Sequence, residues 1–388
     1  MALNKTKKKN IGALIKEINA TMKMDVINVL SDVEEELKVK FYKTPSHEVN
    51  AMLGGGIAKG KITELYGQSS SGKTSLALEV IAKAQKEDED LMCAWLETEG
   101  SMDTDYLNYF GIDLERILII RQTDQLTAEK CMDILRSLIA SGEFGIIVLN
   151  SVAGLLPNKE IVDDMDKQNV ALTARLLSKF LRITTGMLAK ENTSLILINQ
   201  VRTGGIGGQR TYNVSTGGMA IPFYSTQRVE MKREKVMAGD PISEDDGVKV
   251  RCKVVKNRLA KGNPYKICNY YALYGKGIDG VSELGTVLAR EGVLTKSGSW
   301  LKLVDENDNL MQVKTFTGMV DAKWQSNAKF VDFVRENPLA REYFEKLLDE
   351  KLASGKVVGN SVSKDEIEEL EQLNIQLDTQ ANEVATTK

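Results

Sequence analysis

The sequence predicts an α/β fold with a mostly parallel central sheet, and three observations lead there. Short, continuous apolar runs recur along the chain: ITELY (62–66), LMCAWLE (91–97), ILIIR (117–121), GIIVLN (145–150) and SLILIN (194–199). Runs of this length without polar alternation suit strands covered on both faces, as parallel strands are. Helical stretches such as SLALEVIAKAQK (75–86) and AEKCMDILRSLIASG (128–142) lie between them and supply the crossovers that parallel strands need. Finally, the first run passes into its helix through a loop rich in glycine and serine.

Taken in order, residues 1–30 read as a basic arm, MALNKTKKKN, and an amphipathic helix. Its Ile11, Leu14, Ile15 and Ile18 fall at helical spacing and fit packing on the same domain or on a neighbouring subunit. Residues 31–60 read as a linker ending in the turn-rich LGGGIAKGK. The α/β alternation follows. It is interrupted by polar stretches at 158–170 and 203–216, whose length marks them as functional or disordered loops. Residues 227–275 read as further strands joined by turns. Residues 282–354 carry helical patterns and one hairpin-like segment, SWLKLVDENDNLMQV. The predicted organisation is therefore an N-terminal helix and linker (1–40), an α/β core (41–281), a small C-terminal α+β domain (282–360) and an acidic, disordered tail (361–388).

Composition narrows the chemistry. The 388 residues are 42% hydrophobic and 27% charged, ordinary for a chain with a sizeable core. No run of about 18 apolar residues is present, and the N-terminus lacks the short apolar core of a secretory leader. No membrane partner and a cytoplasmic location are expected. Cys93, Cys131, Cys252 and Cys268 form no CxxC pair, so core packing is expected rather than a zinc site. His47 is the single histidine, which nearly excludes a Ser-His-Asp triad; a surface or capping role is expected for it. Net charge is −3, but residues 361–388 hold seven acids against two lysines. The preceding 360 residues are thus slightly positive, compatible with a local nucleic-acid site.

Gly67-Gln68-Ser69-Ser70-Ser71-Gly72-Lys73-Thr74 fits GxxxxGK[ST] between a strand and a helix. In such a loop the backbone N–H groups cradle phosphates, the lysine faces the β/γ-phosphates and the hydroxyl ligates Mg²⁺. Ser75 extends this nucleotide-binding set. Glu97 and Glu99 stand at alternate positions at the end of the next strand, the sheet edge where ligands bind. There they read as carboxylates able to activate water or as two solvated acids. In the helix ALTARLLSKFLRIT (171–184), Arg175, Ser178, Lys179 and Arg182 share one face. Arg202 opens the glycine-rich TGGIGGQRTYNVSTGG, which ends in Gly217 and Gly218. Its backbone suits sequence-independent phosphate contacts.

From Gly67 through CAWLETEGSMD, then NSVAGLLP (150–157), INQVR (198–202), STGGMAIPFY (215–224) and VKVRCKVVKNRLA (248–260), the chain resembles the RecA family of homologous recombinases in order and spacing. The resemblance implies a RecA-type P-loop ATPase core using ATP and Mg²⁺. Residue by residue, it implies Glu99 as the catalytic glutamate. It implies Tyr106, downstream of Asp103, as the aromatic on adenine, and Gln200 as the sensor of the γ-phosphate. Lys256 and Arg258 would reach a neighbouring subunit's nucleotide, and Arg175 and Arg182 would contact DNA. Asn150 departs from the family pattern, standing where an aspartate acts on Mg²⁺ through water. Asparagine keeps the shape without the charge and can still accept a hydrogen bond from a metal-bound water; restoring the aspartate is expected to lower the Mg²⁺ requirement. The implied activity is a DNA-dependent ATPase that forms a helical homo-oligomeric filament on single-stranded DNA and pairs it with homologous duplex. Single-strand-binding and loader proteins are implied as further partners. Two rivals stand beside it: a ring helicase with the same core, against which the short N-terminal helix favours the filament, and a nucleotide-dependent scaffold or signalling protein, to which Asn150 gives some weight.

Overall fold

The computed structural model describes residues 5–24, 27–33, 37–100, 102–121, 123, 126–162, 172–204, 212–237, 240–259 and 267–354. The acidic tail, most of the first polar loop and residues 205–211 of the glycine-rich loop lie outside these. The chain divides into two compact units, Met1–Phe41 and Tyr42–Lys388.

The first unit is built on α1 (Lys5–Met22). After it, the Asn19 side chain both donates to the Ile27 carbonyl and accepts from the Ile27 N–H, each at 3.0 Å, which folds the chain back on the helix end.

The second unit holds a ten-stranded sheet. Its strands are β1 (Ile62–Gly67), β2 (Met92–Glu97), β3 (Ile117–Arg121), β4 (Phe144–Asn150), β5 (Ser194–Gly204), β6 (Tyr212–Ser215), β7 (Gln227–Glu234), β8 (Gly247–Asn257), β9 (Ile267–Leu273) and β10 (Gly277–Ile278). The order is β10-β9-β8-β7-β1-β5-β4-β2-β3, with β6 on β5. The sheet is mixed. The six strands from β7 to β3 run parallel, whereas β8, β9, β10 and β6 are added antiparallel. The continuous apolar runs belong to the parallel half. On β4, Ile146 and Val148 face the cluster of α3 (Lys73–Glu87), with Leu76, Val80 and Trp95. Ile147 and Leu149 face the opposite cluster, formed with α5 (Ala128–Ser141) and α6 (Leu172–Lys190) through Leu135, Ile139, Leu177 and Leu181. Alternate residues thus serve two cores.

The reading of 31–60 as a linker needs correction. Residues His47–Leu53 form a helix, α2, five of whose residues are buried. At seven residues it is too short to show helical periodicity. Its N-cap is Ser46, whose Oγ accepts from the Val49 N–H at 3.1 Å; His47 instead lies 3.5 Å from the Glu345 carboxylate. A third cluster joins α7 (Gly280–Arg290), α8 (Asn327–Glu336) and α9 (Pro338–Ser354) through Leu284, Phe330 and Phe344, with Trp324 against both rings. All four cysteines are free and buried. Among the described residues, no helix is long and apolar enough to cross a membrane.

Candidate nucleotide and DNA site

Strand register assembles the site. Gly67 pairs with Gln200, Asn150 with Ile198 and Glu97 with Asn150. The phosphate-type loop, Asn150 and the Glu97–Glu99 pair therefore stand at the C-terminal ends of β1, β4 and β2, and Gln200 lies level with them on β5, which runs on past this edge. That edge of an open α/β sheet is where ligands bind.

In the loop, Gln68, Ser69 and Ser70 are exposed while Ser71 and Lys73 are buried. Gly72, at φ 87°, is the N-cap of α3; the left-handed turn it allows aims the first N–H groups of α3, and the helix's positive end, into the loop. Lys73 Nζ donates to the carbonyls of Gly67 at 3.2 Å and Gln68 at 2.7 Å, and to Ser71 Oγ at 3.2 Å. Burial pushes its pKa down, and the Glu99 carboxylate pushes it back up. Lys73 thus holds the loop closed on itself with hydrogen bonds that phosphate oxygens can take over. Thr74 follows on the first turn of α3. Ser75 Oγ lies 3.4 Å from the Tyr106 hydroxyl, and the Tyr106 ring stands edge-on to Phe110 at 5.1 Å. Asp103 caps the helix α4 (Thr104–Tyr109), accepting from the Tyr106 N–H at 2.6 Å. The structure therefore brings the expected adenine-stacking residue beside the loop helix.

The two glutamates behave differently. Glu99 is exposed, and Gln200 Nε2 donates to its Oε1 at 2.8 Å. Glu97 is not a solvated acid: it is 3% exposed. Its Oε2 accepts from Trp95 Nε1 at 2.9 Å and Asn150 Nδ2 at 2.8 Å, and its Oε1 from the Glu99 N–H at 3.0 Å. The strand ends beside them are laced together. The Thr98 N–H donates to the Asn150 carbonyl at 2.7 Å, and Thr98 Oγ1 both donates to the Ser151 carbonyl and accepts from the Ser151 N–H, each at 2.9 Å.

A buried polar chain leads away from Gln200. Its N–H donates to Asn199 Oδ1 at 2.9 Å; Asn199 Nδ2 donates to Glu64 Oε1 at 2.9 Å and to the Thr216 carbonyl at 2.8 Å. Glu64 is fully buried and accepts from Arg228 Nε, while the Arg228 guanidinium lies 4.9 Å over the Tyr66 ring. Sequence reading missed Glu64, Asn199 and Arg228; the signal was a lone acid in an otherwise apolar strand. Lys256 and Arg258 converge on the short helix Ala220–Tyr224. Lys256 Nζ donates to the Pro222 and Phe223 carbonyls, and the Arg258 guanidinium lies 5.8 Å from the Phe223 ring. Burial, then the charges of Arg258 and Arg228, push Lys256 down to about 8.

On α6, Arg175, Ser178, Lys179 and Arg182 are exposed together, while Leu177 and Leu181 are buried. Gly217 and Gly218 rest on the same helix. A Cβ on Gly217, at φ 90°, would come within 2.8 Å of Leu177 Cδ1, and one on Gly218 within 2.9 Å of Ala174 Cβ. Arg202 pairs with Val214 across β5 and β6; its side chain lies outside the described residues.

Among the described residues, no group of three or more His, Cys, Asp or Glu forms a metal cage. The residues present do suit Mg²⁺, which keeps several waters and needs few protein ligands. The Thr74 hydroxyl is at the loop, Glu97 is a buried carboxylate, and Asn150 Oδ1 is a buried acceptor without a hydrogen-bond partner.

Residues 9–279 match the model of the RecA N-terminal domain. The chain is 35% identical over 377 residues to Protein RecA of Sulfurovum sp., covering 96% of this chain and 100% of the relative. It is 36% identical over 375 residues to Protein RecA of Wolinella succinogenes, with the same coverage. With Protein RecA of Helicobacter pylori it shares 36% identity over 308 residues, 79% of this chain and 86% of the relative.

Proposed function

The chain belongs to the RecA family of homologous recombinases, and from that premise we propose that it is a DNA-dependent ATPase that polymerises on single-stranded DNA and exchanges it into homologous duplex during recombination and repair. The observation that carries this reading is that Gln200 links both ends of the site, its side chain bonding Glu99 and its backbone N–H bonding the Asn199 side chain, which in turn donates to the Thr216 carbonyl. Thr216 immediately precedes Gly217 and Gly218, which sit against the basic helix α6. A carboxylate placed to activate water is thereby tied to the segment that faces DNA.

In this mechanism residues 67–75 bind the triphosphate, with Lys73 turning from the loop carbonyls to the β/γ-phosphates. Tyr106 stacks on adenine beside Ser75. Mg²⁺, when bound, would neutralise phosphate charge, and the Thr74 hydroxyl and Asn150 are the groups that would hold it and its waters. Glu99 takes the proton of the attacking water. Gln200, which hydrogen-bonds Glu99, exchanges that partner for the γ-phosphate and passes the change through Asn199 to Thr216. Lys256 and Arg258 reach the nucleotide of the next subunit, after Lys256 leaves the Pro222 and Phe223 carbonyls. Arg175, Ser178, Arg182, Arg202, Gly217 and Gly218 contact the DNA backbone. The apolar stripe of α1 packs on a neighbouring protomer.

The test is single-stranded-DNA-stimulated phosphate release, combined with a salt titration of DNA binding. The wild-type chain should release phosphate faster with DNA. The Arg175→Ala/Arg182→Ala double variant should bind single strands of every sequence more weakly, and its slope of log affinity against log salt should shrink by about 0.7 per lost phosphate contact. Phosphate release indifferent to DNA, together with an unchanged slope, would remove the DNA-dependent reading.

A further inference from the structure

Asn150 lacks the negative charge expected at the end of β4, yet a carboxylate lies beside it. Asn150 is 1% exposed and Glu97 3%, and their side chains meet through the 2.8 Å hydrogen bond from Asn150 Nδ2 to Glu97 Oε2. The direction of that bond is fixed, because a carboxylate facing an amide accepts only from its NH₂ group. It follows that Asn150 Oδ1 is the atom turned away from Glu97, and this buried oxygen has no partner. Trp95 Nε1 holds the same Glu97 oxygen from a second side, and the Glu99 N–H holds the other. A buried carboxylate with three donors around it is fixed in place, and its charge stays at the strand end from which Glu99 projects.

We propose that Glu97 supplies the negative charge toward the metal that Asn150 lacks. The two residues share the role that a single aspartate would fill. Glu97 carries the charge, while Asn150 orients Glu97 through Nδ2 and offers Oδ1 to a metal-bound water. Trp95 is a positioning residue that acts through Glu97. This rests on the ATPase reading above and adds to it a carboxylate that the phosphate-loop motif does not include.

The geometry reverses the expectation that an aspartate at 150 would help. Asn150→Asp would set two carboxylates where a donor now meets an acceptor, and like charges at that separation repel. Moving the charge requires moving the amide as well. The test therefore compares wild type, Glu97→Gln, Asn150→Asp and the double variant Glu97→Gln/Asn150→Asp. The Mg²⁺ concentration for half-maximal binding of a fluorescent ATP analogue is measured without turnover, and thermal unfolding of the nucleotide-free proteins reports folding. Glu97→Gln should raise the Mg²⁺ midpoint about tenfold or more, in the range of changes beside a bound metal. Asn150→Asp alone should lower the unfolding temperature and leave the midpoint no lower than wild type. The double variant should bring the midpoint back to within about threefold of wild type, consistent with the charge having moved one residue pair across. If a single variant fails to fold, the double variant against wild type decides. An unchanged midpoint in folded Glu97→Gln, a lower midpoint in Asn150→Asp at unchanged stability, or a double variant about tenfold or more from wild type would overturn the proposal. Absence of Mg²⁺-dependent nucleotide binding by the wild-type chain would overturn the ATPase reading itself, which separates the two failures.

Discussion

Replacing Lys73 with alanine should weaken ATP binding by about a hundred- to a thousandfold and abolish ATP-dependent DNA binding. Two losses combine. The charge facing the β/γ-phosphates goes, and one such contact at about 4 Å near a protein surface is worth on the order of 4 kcal/mol. The substitution also strips the loop of its internal clasp, since Lys73 Nζ is the donor to Gly67, Gln68 and Ser71. Part of the effect should therefore appear without nucleotide, as a small loss of thermal stability. Equilibrium titration with a fluorescent ATP analogue measures the first loss and calorimetry the second. Affinity equal to wild type would mean that phosphates are held elsewhere.

Glu99→Gln should separate binding from turnover. The exchange keeps shape and leaves an oxygen that can accept from Gln200 Nε2, the partner Glu99 has at 2.8 Å. It removes the base, and loss of a general base costs about 10²–10⁴-fold in rate. Phosphate release should fall by that factor while nucleotide affinity stays within about threefold of wild type, because none of the loop's donors is touched. Complexes with single-stranded DNA formed with ATP should then persist, since release depends on hydrolysis. Single-turnover phosphate release and DNA dissociation, measured on the same preparation, check both halves. A normal rate of release would take Glu99 out of the chemistry.

How far the sequence reveals this site depends on whether a residue's role is local. Gly67 to Thr74 are legible because loop, lysine and hydroxyl act within eight residues of one another. The parallel strands are legible because burial on both faces leaves no polar alternation. Basic α6 is legible because helical spacing alone puts Arg175, Ser178 and Arg182 together. Glu97 and Glu64 are not. Each is one acid at the end of, or within, an apolar run, and only strand register reveals that Asn150 stands across from the first and that Asn199 and Arg228 bracket the second. Alternation correctly puts Glu97 and Glu99 on one side of the chain, but cannot say that one is sealed under Trp95 while the other is open. The same limit applies to α2, whose helical character comes from the Ser46 cap and tertiary burial rather than from any repeat in seven residues.

Nucleotide occupancy at the β1–β5 edge should be what organises this chain on DNA. Electron microscopy of the wild-type protein with single-stranded DNA, with and without a non-hydrolysable ATP analogue, tests that most directly. Continuous helical filaments that require the analogue are the predicted result. Closed rings, or particles that look the same with and without the analogue, would contradict it.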